Sequence, residues 1–284
     1  LTWRHVENIG DPGSESQHDD SESDEEQHDV FKHLTYAQDN GAEILVRYAD
    51  LKMKRERNLT SGEIVSQVNA INNLCLEHFN KKLTNVVYMG MGEPLLNYKN
   101  MLRSVELITS EKGLGMSPKR ITVSTAGIAK MIRKLGDDEV KFNLALSLHA
   151  ANNKKRCEIM EINDSNNLET LKESLIYFYE KTNTRVTFEY IIFKDFNDSL
   201  EDAQELAEFA KCIPCKINII EYNPIDDGFF QQADTAKVDN FAAFLEKRNL
   251  IVNVRRSRGK DIDAACGQLA NKNKAILKDN RILK

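Results

Sequence analysis

NVVYMGMGEPLLN, residues 85–97, is a short apolar run that ends on paired glycines and then presents a glutamate and a proline. Val86, Val87 and Tyr88 suit a buried strand, while Gly90 and Gly92 let the backbone turn sharply or let a ligand approach it closely. Glu93 beside them is placed to hold a cation such as an ammonium group. A tight turn between strand and helix explains the same residues without any ligand. Working outward, five further runs share the composition of this one: RITVST, KFNLALSLH, RVTFEYIIF, KINIIEY and IVNVRRS. Between them SGEIVSQVNAINNLCLEHF, LETLKESLIYFYEKT, SLEDAQELAEFAKC and VDNFAAFLEKRN carry apolar residues at helical spacing. Repeated strand–helix alternation means a parallel sheet, either doubly wound or closed toward a barrel.

Parallel strands gather their ligand sites at their carboxyl ends. MGMGEP, STAG, SLHA and EYNP each follow a strand run and so fall on one rim. Four small polar clusters on the same edge are more than turn chemistry requires.

The formal charge of −5 is unevenly spread. Residues 1–29 hold 10 of the 44 acidic residues and one basic residue, Arg4, which leaves 38 basic against 34 acidic residues in the remainder. The stretch ESQHDDSESDEEQHD, residues 15–29, has no large apolar group and reads as a solvated, disordered segment. The body is mildly basic. Arg255, Arg256, Arg258 and Lys260, with a second basic cluster toward the C-terminus, suit a phosphate backbone, although solvated helix faces look the same. No run of about 18 apolar residues exists and the start lacks an apolar signal core, so no membrane span is expected. Five cysteines at irregular spacing argue against a disulfide framework and for a reducing, cytoplasmic setting.

MGMGEPLLN, VSTAGI, LALSLHA, FEYIIF, EYNPI and VRRSRGKDIDAACGQLA together resemble the radical S-adenosylmethionine RNA methyltransferases that act on carbon 2 of an adenine in large-subunit ribosomal RNA and transfer RNA. The likeness runs from about Arg57 to about Ala270. It implies an α/β fold, a partial (βα)6 TIM-like barrel open toward the N-terminal side, over residues 41–284 with a basic C-terminal helix, preceded by the acidic segment 1–40. It also implies S-adenosylmethionine and a [4Fe-4S] cluster as cofactors. The expected partners are ribosomal RNA and tRNA and an electron donor, with the protein a monomer. Carbon 2 of adenine is electron-poor and cannot attack the cofactor's methyl as a nucleophile, which is why such a family needs a radical route.

Carried over residue by residue, the resemblance makes Cys266 the methyl-carrying cysteine. A helix N-terminus after a basic strand would favour its thiolate. Gly92 and Glu93 match positions that meet the methionine end of S-adenosylmethionine, where a carboxylate opposite an ammonium forms a charge-assisted hydrogen bond. Ser124, Ser147, Leu148, His149 and Asn223 match further cofactor-binding positions, with His149 assigned to binding and not to catalysis.

One feature of the family is missing. Its CxxxCxxC cluster loop would place ligands at Gly41, Leu45 and Tyr48, none of which binds iron, and no cysteine precedes Cys75. No metal ligand is therefore assigned. Cys212 and Cys215 have CxxC spacing without a second half, and Cys75 and Cys157 sit in helical patterns as packing residues. The chain begins at Leu1, and its acidic segment meets the family-like region abruptly. The expectation is an incomplete, inactive copy with a non-native N-terminal segment. The alternatives are a non-catalytic RNA- or S-adenosylmethionine-binding remnant and a relative that methylates adenine carbon 8.

Overall fold

The computed structural model describes residues 44–47, 57–89, 92–223 and 230–256. Seven strands form one sheet: β1 (Ile44–Arg47), β2 (Val86–Met89), β3 (Ile121–Thr125), β4 (Asn143–Ser147), β5 (Val186–Ile192), β6 (Cys215–Glu221) and β7 (Ile251–Arg255). All neighbours pair in parallel and the spatial order equals the chain order. The helices are α1 (Ser61–Phe79), α2 (Tyr98–Thr109), α3 (Ala129–Asp137), α4 (Asn153–Ile159), α5 (Leu168–Thr182), α6 (Leu200–Ala210) and α7 (Thr235–Glu246).

The strand order settles what alternation alone left open. Parallel crossovers are right-handed, so a sheet that adds every strand on the same side carries all its helices on one face. A doubly wound sheet would reverse direction at a switch point, and this one never does. The result is an open barrel wall with β1 and β7 as its edges. The six strand runs of the sequence correspond to β2–β7, and β1 is one strand more.

Side-chain alternation follows from having one covered face. Phe188 of β5 packs on Phe209 of α6 and Tyr190 on Phe241 of α7, with ring centroids 5.5 and 5.4 Å apart. The alternate residues, Thr187 and Glu189, turn the other way and share a recess with Thr122, Lys216, Asn218 and Arg255. Register explains the grouping, because Glu189 pairs with Asn218 and Asn218 with Asn253 across β5, β6 and β7. Asn218 donates to Glu189 Oε1 at 2.8 Å and Asn253 to Asn218 Oδ1 at 3.5 Å. A parallel sheet covered on both faces would be apolar on both.

Local capping signals begin or end several of the helices. Thr60 and Glu63 form a reciprocal capping box at α1, held from outside by Arg57. Ser199 and Asp202 do the same at α6. Asn80 and Asn183 close α1 and α5 in the left-handed conformation, with φ of 50° and 51°. No helix among the described residues is long and apolar enough to cross a membrane.

Candidate functional site

The carboxyl ends of β2, β3, β4 and β6 carry the rim segments, and specific hydrogen bonds lock three of them together. Gly92 has φ of +104°, and a methyl group added there would meet nothing within 4 Å, so the backbone at this corner faces open space. Glu93 follows in extended conformation and caps the short 3-10 turn Pro94–Asn97. Its Oε1 accepts from Leu95 N–H at 3.0 Å and its Oε2 from Ala126 N–H at 2.7 Å, so one carboxylate joins the β2 end to the β3 end. Burial raises the Glu93 carboxyl above the ordinary glutamate value, against the opposing pull of the Ala126 and Leu95 amides and the Thr125 hydroxyl. A cation brought against the remaining lone pairs would draw the group back to its ionised form.

Ser124 lies near the end of β3 opposite Ala145, on the concave side with Thr122, and is buried. Ser147 ends β4 opposite Glu189 and is half-buried. Leu148 is fully buried, its N–H donating to Glu189 O at 3.0 Å and its carbonyl accepting from Arg156 Nε at 3.1 Å, so neither its side chain nor its backbone is open to a ligand. His149 occupies the left-handed region with φ of 57°. Its Nδ1 accepts from Ile191 N–H at 3.1 Å, which places the ring proton on Nε2. Burial, with the Arg156 charge adding to it, pushes the imidazole down to about 3, so it is neutral at physiological pH. Asn197 holds this corner from behind: it accepts from Phe193 N–H at 2.7 Å and donates to His149 O at 2.7 Å and Ile191 O at 2.9 Å.

Asn223 follows the end of β6 and is half-buried. Its neighbour Tyr222 packs on Phe193 with centroids 4.9 Å apart and the rings tilted by 57°, and Phe193 in turn meets Phe230 at 4.3 Å. Arg255 lines the concave recess with Lys216. The Arg256 guanidinium is engaged by the Asp239 carboxylate of α7. Cys266, Arg258 and Lys260 lie outside the described residues.

One expectation about the cysteines changes. Cys157 is exposed and is no packing residue. It follows Arg156, which takes the inward direction of α4, and successive helical positions point about 100° apart. Cys75 is buried as expected. Burial pushes the Cys212 thiol up to about 11 and Cys215 to about 12, so both are protonated at physiological pH.

The family's cluster does not fit the donor set. Leu45 falls within β1, Gly41 and Tyr48 lie outside the described residues, and none of the three is a cysteine that could supply a cluster thiolate. Among the described residues no group of three His, Cys, Asp or Glu side chains could hold a metal ion.

Known proteins are similar to this chain in sequence and in fold. Over 224 residues the chain is 58% identical to a probable dual-specificity RNA methyltransferase RlmN of Christiangramia forsetii, which covers 79% of this chain and 64% of the relative. Over 220 residues it is 60% identical to the protein of the same name in Cytophaga hutchinsonii, covering 78% and 60%. A crystal structure of a radical SAM methyltransferase from Sphaerobacter thermophilus superimposes with a TM-score of 0.72 at 38% identity, covering 75% of this chain and 62% of that one. The chain belongs to the radical S-adenosylmethionine methyltransferase family. It spans about three-fifths of the length of these relatives. No family model matches it. The superposition shows that the open barrel wall is shared with that methyltransferase.

Sequence reasoning missed Arg156, Asn197 and the polar row Glu189, Asn218 and Asn253. The row had a readable signal, because RVTFEYI and KINIIE alternate polar and apolar residues where a doubly covered strand would not. Arg156 had none: NNKKRCEI reads as an ordinary solvated basic helix.

Proposed function

We propose that this chain provides the S-adenosylmethionine-binding half-barrel of an RNA adenine carbon 2 methyltransferase, with ribosomal RNA and tRNA as substrates in the cytoplasm. The observation that carries the reading is the Glu93 corner. A half-buried carboxylate is anchored by two backbone amides beside an open glycine, at the end of a parallel strand where this family of folds collects its ligands. The cofactor fits that corner chemically. Its ammonium would complete the Glu93 lone pairs, Ser124, Ser147 and Asn223 offer hydroxyl and amide partners along the same rim, and the neutral His149 offers an Nε2–H donor. The polar concave face exposes Asn253, Lys216 and Arg255 on the side away from the helices, where an anionic substrate would enter. Cys266 is assigned as the thiol that receives the methyl group.

The cluster that the family uses supplies the one-electron chemistry that activates the cofactor, and it needs an electron donor. The positions for its thiolates are Gly41, Leu45 and Tyr48, so the sequence as it stands is assigned to binding without radical initiation. Equilibrium dialysis with labelled S-adenosylmethionine tests the first half: saturable binding that Glu93→Gln weakens supports the reading, and no binding at millimolar cofactor removes it. Iron–sulfur reconstitution tests the second half. A colourless protein that yields no 5′-deoxyadenosine with reductant is expected, whereas a brown protein with cluster absorbance would overturn the assignment to binding alone.

A further inference from the structure

Arg156 is the largest fully buried side chain of the described protein, and it is a charged one. It sits on the seven-residue helix α4, behind the rim. Its hydrogen bonds all go to neutral oxygens: Nη2 donates to Ala126 O at 2.7 Å and Ser147 O at 3.3 Å, Nε to Leu148 O at 3.1 Å, and Nη1 to Asn163 Oδ1 at 2.7 Å. Burying a guanidinium is costly, and an apolar side chain of similar volume would fill the space without that cost. What a leucine could not do is hold three carbonyls from two loops in one plane, which the rigid five-donor fork of arginine does. The loops concerned are the β3 and β4 ends. Ala126 is gripped on both sides, its N–H by Glu93 and its carbonyl by Arg156. Gly127 beside it has φ of +108°, and a methyl group there would come within 3.3 Å of the guanidinium.

We propose that Arg156 is a positioning residue for the cofactor rim: through Ala126, Ser147 and Leu148 it fixes where Glu93, the β3 end and the β4 end stand relative to one another, without touching the ligand. This inference rests on the S-adenosylmethionine reading of the rim for its effect on binding, and on hydrogen bonds alone for its effect on the loops. Both are measured on the full chain. In Arg156→Gln the amide hydrogen exchange of Ala126 should speed up while α7 amides keep their protection. The dissociation constant for S-adenosylmethionine should rise about tenfold, since small misplacements of binding groups cost that much or more. Arg156→Lys, which restores the charge but not the fork, should recover only part of the affinity. Leu245→Ala on α7, far from these loops, serves as the control: it should lower the urea midpoint comparably and leave the dissociation constant within about twofold. Should Arg156→Gln fail to fold, Asn163→Ala removes one anchor of the guanidinium and should give the same pattern at smaller amplitude. Unchanged Ala126 exchange, or equal affinity in the Arg156 variants and wild type, overturns the inference. If wild type itself binds no cofactor, the functional reading fails and the exchange measurement still decides the positioning role.

Discussion

Asn197→Ala is the sharpest test of how the His149 corner is held. The side chain is fully buried and makes three hydrogen bonds to backbone groups of two segments: Phe193 N–H, His149 O and Ile191 O. Alanine leaves all three without that partner. An orphaned buried donor or acceptor costs about 1–3 kcal/mol, so the three together cost about 3–9 kcal/mol, placed near the low end because His149 is only half-buried. That is a large share of the roughly 5–15 kcal/mol by which domains are stable. With a urea slope of about 3 kcal/mol per molar, the midpoint should fall by about 1 M. Asn197→Asp separates donors from acceptor. It still accepts from Phe193 N–H but turns a carboxylate on two carbonyl oxygens, so at pH 7 it should be at least as destabilised as the alanine variant. The charge is disfavoured in the fold, so its folded pKa is raised and its stability should recover as pH falls and the carboxyl protonates. Equilibrium urea unfolding followed by circular dichroism at pH 7 and pH 5 measures both. A loss under about 1 kcal/mol in the alanine variant, or an aspartate variant equal to wild type at pH 7, would refute the reasoning.

Three further outcomes follow from the same geometry. Glu93→Gln keeps the shape but offers one acceptor oxygen to two amides, so stability should drop by about 1–3 kcal/mol by thermal melting, and cofactor affinity should fall with the lost charge; a variant melting with wild type would exclude the two-amide anchor. His149 has a folded pKa of about 3 against the ordinary 6.5, so the stability its neutrality gives is present above pH 6.5 and is lost as pH falls toward 3, by at most about 1.4 kcal/mol per pH unit. His149→Asn, which tolerates positive φ and can accept from Ile191 N–H, should flatten that slope, and identical slopes in both proteins would show that another group is responsible. Gly127→Ala must hold alanine at φ of +108° within 3.0 Å of Leu171 Cδ2, and should cost more than about 1 kcal/mol in urea unfolding, whereas a neutral effect would mean that the loop relaxes freely.

How much of this was legible in advance varied from residue to residue. The six strand runs correspond to β2–β7 because β-branched and aromatic residues bounded by turn residues are a local signal. The capping boxes at Thr60–Glu63 and Ser199–Asp202 are written in four consecutive residues each. The rim segments were legible as a group, since the carboxyl-end rule needs only strand direction. Cys157 was misread because amphipathic spacing on a seven-residue helix cannot distinguish two adjacent inward directions, and the larger Arg156 took the buried one. Asn197 sits in DFND, which reads as a polar turn, and only folding brings His149 and Ile191 against it.

By itself the sequence determined that strands and helices alternate, that the strands run parallel, and which edge gathers glycines, serines, a histidine and a carboxylate. These are properties of neighbours in the chain: pleat, helical period, capping and turn chemistry act over a few residues and need no partner from elsewhere. Only the tertiary structure decided that the sheet adds every strand on one side and that Glu93, Ala126 and Arg156 form one brace. The physical reason is distance along the chain. Glu93 lies 33 residues from the amide it binds and Arg156 lies 30 from the carbonyl it holds, so neither bond exists until the strands between them have paired.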